Sequence, residues 1–99
     1  MLAITEAERQ IVLDILHKNV PEYEVWAFGS RVKGTAKRYS DLDLAIITEK
    51  PLSLETHANL VDAFSESDLD WKVDIVDWAA CSENFKKIIQ TQFEIVQSR

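Results

Sequence analysis

The sequence predicts a small α/β domain spanning residues 1–99, with a mixed β-sheet flanked by helices. Three observations carry this prediction. A helix-capping pattern opens an amphipathic stretch at Thr5. Short apolar segments with strand character recur at 24–28, 42–47 and 72–76. Between and after them, apolar residues return at helical spacing. Elements in that order pack helices onto a sheet.

Taken in order, Thr5 and Glu8 stand in the S/T-x-x-E arrangement, which starts a helix running to about Asn19. Ile11, Val12, Ile15 and Leu16 form its apolar face, and Pro21 ends the segment. Glu24-Val25-Trp26-Ala27-Phe28 reads as a first strand, stopped by Gly29. Ser30 to Lys33 is one helical turn, closed by Gly34. Leu42 to Ile47 is a second strand, and its unbroken Leu, Ala and Ile run predicts burial on both faces. Pro51 breaks the chain, and Ser53 caps a helix from Leu54 to about Glu66. His57, Leu60, Val61 and Phe64 fall on one face of it. Residues 67–70 form a loop, and Lys72 to Val76 a third strand. Ser82 starts a last helix carrying Phe85, Ile88 and Ile89. Glu94-Ile95-Val96 fits either a short edge strand or the end of that helix.

A chain of 99 residues allows one domain with a real core. No apolar run approaches the roughly 18 residues of a membrane span. The first residues lack the basic start of a secretory signal. A single cysteine, Cys81, cannot form an internal disulfide, so a cytoplasmic location is expected. The net charge of −6 argues against general binding to nucleic-acid backbones. Against that acidic background, Arg31, Lys33, Lys37 and Arg38 cluster within eight positions.

The chemistry concentrates around this cluster. Gly29-Ser30 is followed by Gly34, a five-residue spacer, and Ser40-Asp41-Leu42-Asp43-Leu44. Side chains alternate along a strand, so Asp41 and Asp43 project to one side with Cα atoms roughly 6.5 Å apart. Two carboxylates that close repel unless a cation joins them. Mg²⁺ suits such a pair, because it prefers oxygen ligands and shares them with substrate phosphates. The glycine turn offers backbone N–H groups to those phosphates. Asp74, flanked by Val73 and Ile75, is the best third carboxylate, since a charge within an apolar strand is costly without a partner; the other reading is a solvated residue near a sheet edge. If its strand lies beside 42–47, three carboxylates could hold two ions. Asp77 has the opposite parity and reads as a cap or a solvated residue. His17 and His57 lie on helices away from the motif. Trp71 and Trp78 bracket the third strand and belong either to the core or against a partner or an adenine ring.

This pattern, Gly29-Ser30-Arg31-Val32-Lys33-Gly34 with Ser40-Asp41-Leu42-Asp43-Leu44 and a later Asp74, resembles the minimal nucleotidyltransferases of the DNA polymerase β-like superfamily. Val73-Asp74-Ile75-Val76-Asp77 and the tail from Ser82 to Ile89 look like the small bacterial MNT proteins. The resemblance covers roughly residues 24 to 96 and implies a polymerase β palm-like fold. It implies that Asp41 and Asp43 bind two Mg²⁺ ions and that Asp74 binds the ion on the acceptor side. Gly29 and Ser30 would hold the phosphates of ATP, with Arg31 and Lys33 as weaker nucleotide ligands. It further implies a partner, a HEPN-domain RNase toxin, to which the chain transfers AMP at a tyrosine as its antitoxin. The chain would then work in a hetero-oligomer.

Two other readings compete. A non-catalytic antitoxin would mask its partner stoichiometrically and leave the carboxylates unused. An enzyme acting on a small molecule would need a second substrate-binding domain, for which 99 residues leave little room. Three aspartates in or beside apolar strands cost stability, which favours catalysis over masking.

Overall fold

The computed structural model describes residues 2–98. Helix α1 (Glu6–Asn19) opens on the expected capping box, with Thr5 accepting from the Glu8 amide and the Glu8 side chain accepting from the Thr5 amide. Strand β1 (Glu24–Phe28) runs into the single-turn helix α2 (Ser30–Lys33). Then follow β2 (Leu42–Ile47), α3 (Leu54–Ser65), β3 (Val73–Asp77), a 3₁₀ turn at Trp78–Ala80, α4 (Glu83–Thr91) and β4 (Glu94–Gln97). Ser53 and Ser82 cap α3 and α4 by accepting from the amides of Thr56 and Phe85.

The sheet order is β3-β2-β1-β4. Strand β1 pairs antiparallel with both β2 and β4, whereas β2 and β3 are parallel. The tail segment is therefore an edge strand, and the third strand is shifted one residue toward the C-terminus of its predicted span.

Alternation along the strands gives the sheet two distinct faces. Leu42, Leu44, Ile46, Val25 and Ala27 point into a core with Val12 and Leu16 of α1 and Leu60 and Phe64 of α3. On the other face, Phe28 and Ala45 pack with Ile89 of α4, and Trp26, Trp78 and Phe85 surround them. Two residues on predicted apolar stripes are exposed: Val61 at 44% and Ile88 at 55%. Their helices are each only partly covered by the sheet.

Trp26 packs, partly buried, against the second core. It stacks on Phe93 at 4.0 Å and meets Trp78 edge-on at 5.3 Å, on the α4 face. Trp71 is buried in the other core.

Asp77 shares its strand parity with the α3-facing side chains and stands, partly buried, at the N-cap position of the 3₁₀ turn without a side-chain cap hydrogen bond. Its carboxylate accepts from the hydroxyl of buried Thr48 and, at 2.6 Å, from the amide of Leu52. Thr48 in turn accepts from the Ala79 amide at 3.1 Å. Asp77 thus ties the end of β3 to the segment between β2 and α3.

Candidate active site

Parallel pairing of β2 with β3 sets Asp43 directly opposite Asp74. Neighbouring strands lie about 4.8 Å apart, so these carboxylates share one patch on the α4 face of the sheet. The Asp43 carboxyl is pushed up from 3.8 to about 6. Burial is the largest cause, followed by the charges of Asp74 and Asp41 and then by the hydrogen bond with Asp74.

Gly29 reaches the same patch from β1. Its predecessor Phe28 pairs with Asp43 across the antiparallel ladder. The backbone turns there with φ +79°. A Cβ on Gly29 would sit 2.2 Å from an oxygen of the Asp43 carboxylate. Two independent reasons therefore require glycine, a left-handed backbone and direct contact with a carboxylate. Ser30 follows as the first residue of α2. Gly34 closes that helix at φ +82° with its amide on the Ser30 carbonyl, and its missing side chain would meet nothing within 4 Å.

Asp41 lies on the loop just before β2 and is exposed. It is near enough for its charge to raise the Asp43 carboxyl. Among the described residues, however, no three carboxylate, imidazole or thiol groups are gathered closely enough to ligate one ion together. Asp74 is exposed on the edge strand β3 opposite partly buried Asp43, and Asp41 lies on the preceding loop.

The basic cluster divides. Lys33 is exposed at the end of α2, and Lys37 and Arg38 are exposed on the loop. Arg31 is buried, and each of its three side-chain nitrogens donates to a backbone carbonyl. Its Nε donates to the Ser40 carbonyl at 2.9 Å, and its two terminal nitrogens donate to the carbonyls of Ala3 at 2.9 Å and Arg38 at 3.2 Å. Its guanidinium carbon lies 4.4 Å from the centroid of the Trp71 ring. Only the tertiary fold reveals these carbonyls as its partners.

His57 lies on α3 and lines a cavity of about 590 Å³ between α3 and β3 together with Phe64, Trp71, Val73 and Asp74. Cys81 is half-buried with its thiol against the Asp77 carbonyl.

A turn of backbone amides abutting paired carboxylates, on a sheet of this topology, is the arrangement of a nucleotidyltransferase. The sequence matches the family described as polymerase beta, nucleotidyltransferase over residues 10–99, and the chain belongs to that family. It is 55% identical over 98 residues to a Haemophilus influenzae protein named probable protein adenylyltransferase MntA, covering 99% of this chain and 86% of that one. A solved toxin–antitoxin complex with AMP-PNP contains a chain similar at 27% identity and a TM-score of 0.77, over 92% of this chain and 73% of that one. The fold is also shared, at 22% identity and a TM-score of 0.71, with a chain from the structure of a tri-AMPylated Shewanella oneidensis HEPN toxin in complex with MNT antitoxin. That match covers 97% of this chain and 74% of the other. No helix among the described residues is long and apolar enough to cross a membrane.

Proposed function

We propose that this chain, as a single nucleotidyltransferase domain, transfers AMP from ATP to a tyrosine hydroxyl of a HEPN-domain toxin and so acts as its antitoxin. The observation that carries the proposal is the Asp43–Asp74 pair set in register beside the Gly29 turn. The naming of the Haemophilus relative and the AMP-PNP in the toxin–antitoxin neighbour support the same reading.

The donor set fits divalent magnesium: all oxygen and anionic, with the charge at Asp43 disfavoured by burial and by its acidic neighbours. Asp41, Asp43 and Asp74 would hold two ions. Bound there, magnesium would neutralise phosphate charge and stabilise departing pyrophosphate. The amides of Gly29 and Ser30, with the Ser30 hydroxyl, hold the β- and γ-phosphates, and exposed Lys33 adds positive charge at the mouth. Asp74 stands on the outer strand, where the acceptor enters, and takes up its hydroxyl proton. The acceptor oxygen attacks the α-phosphorus, the bond from that phosphorus to the pyrophosphate oxygen breaks, and AMP remains on the acceptor.

Incubation with the HEPN-domain partner, α-labelled ATP and Mg²⁺ tests this. Label should appear on a partner tyrosine, and Asp43→Asn should abolish both labelling and neutralisation. Neutralisation that survives Asp43→Asn would establish stoichiometric masking instead.

A further inference from the structure

Arg31 contacts each flank of the candidate site. Its own backbone belongs to the turn that begins at Gly29. Its side chain donates to the carbonyls of Arg38 and Ser40, on the loop that delivers Asp41. Its guanidinium lies over Trp71, three residues before Asp74. It also holds the N-terminal segment reciprocally: the Ala3 amide donates to the Arg31 carbonyl at 2.8 Å, and the Ala3 carbonyl accepts from the Arg31 side chain. The loop is closed on itself as well, since Lys37 and Ser40 exchange two hydrogen bonds. Among the described residues no carboxylate pairs with this buried cation. Carbonyl dipoles and an aromatic face offset its desolvation instead.

We propose that Arg31 is a positioning residue that holds the phosphate turn, Asp41 and the approach to Asp74 in one frame, without touching nucleotide or metal. This rests on the assignment of those residues proposed above. Asp41 lies on the loop just before β2, and the carbonyl of its neighbour Ser40 accepts from the Arg31 Nε, so Arg31 sets where that loop meets the Asp43–Asp74 pair. A planar fork can hold three carbonyls from two segments, the loop before β2 and the N-terminal stretch, at once. A lysine, with one nitrogen on a flexible stem, cannot. Misplacement by about 1 Å is enough to cost roughly 100-fold in a reaction of this kind.

The test compares Arg31→Lys, which keeps the charge, with Arg31→Met, which keeps only bulk. Binding of Mn²⁺ in the presence of AMP-PNP, followed by electron paramagnetic resonance, should weaken about tenfold in both variants alike. At saturating Mg²⁺, kcat for AMP transfer should fall roughly 100-fold in both, while KM for ATP moves less than about threefold. A lysine variant that behaves as wild type, beside a methionine variant with a raised KM for ATP, would mean that Arg31 is a phosphate ligand. Mn²⁺ affinity unchanged in both variants would leave it a mere brace of stability. Either result overturns the proposal. If neither Arg31 variant folds, Trp71→Phe, which trims the face beneath the guanidinium, should show the same Mn²⁺ weakening to a smaller degree; wild-type affinity there would overturn it. A wild-type chain that binds Mn²⁺ with AMP-PNP but labels no protein would refute the proposed function, and the Mn²⁺ measurement would still decide the role of Arg31.

Discussion

Replacing Asp43 by asparagine keeps the side chain's shape and removes its charge, and in metal-free buffer this should stabilise the protein near neutral pH. The Asp43 carboxyl rises from 3.8 to about 6, which amounts to about 3 kcal/mol of unfavourable ionisation before screening. The residue is only half-buried, so solvent screening reduces this to roughly 1–2 kcal/mol. For a chain of 99 residues that corresponds to about 5–10 °C in Tm. Below pH 3.8 the carboxyl is protonated in the folded and unfolded chains alike, so the aspartate carries no penalty. The penalty develops as pH rises and is complete above about 6, where the folded protein must hold the charge. The variant has no such titration. Thermal melts in EDTA at pH 4, 5, 6 and 7.5 should therefore show a gap that opens with pH in favour of the variant. Mg²⁺ with ATP should then reverse the order at pH 7.5 by stabilising only the wild type. A variant less stable than wild type at pH 7.5, or a gap that does not change with pH, would refute the reasoning.

The two glycines separate cleanly. Gly29→Ala must displace the Asp43 carboxylate as well as strain the backbone, so it should abolish AMP transfer and lower stability by roughly 2–3 kcal/mol. Gly34→Ala meets open space and should cost only about 1 kcal/mol, read by urea denaturation, with transfer largely retained. Asp77→Ala leaves the Leu52 amide and the Thr48 hydroxyl without their acceptor and should cost roughly 1–3 kcal/mol on the same measurement. The Cys81 thiol is raised chiefly by burial, so its alkylation by iodoacetamide at pH 7.5 should be slower than that of a free cysteine peptide.

Much of the fold was legible because its punctuation is local. Thr5, Ser53 and Ser82 are side-chain caps wherever they fall, and Gly29 and Gly34 stop their elements through backbone conformation alone. The Asp41, Asp43 and Asp74 spacing needed only strand alternation and one guess about which strands are neighbours. What stayed hidden depends on segments far apart in the chain. The tail became a strand because β1 had a free edge to offer, which three residues of sequence cannot announce. Asp77 found Thr48, 29 positions away. The side chain of Arg31 found the carbonyl of Ala3, 28 positions away. Val61 and Ile88 sit on regular apolar stripes, yet no partner element reaches them.

The meeting of Asp43 and Asp74 has a consequence for how active molecules arise. These two side chains converge only because two parallel strands, joined through α3, settle at one particular alignment. A slip of a single residue would carry Asp74 to the α1/α3 side while preserving most of the ladder. The same slip would push Val73 and Ile75 out of the α1/α3 core and Asp74 into it, so the packing that buries this face also fixes which carboxylate meets Asp43.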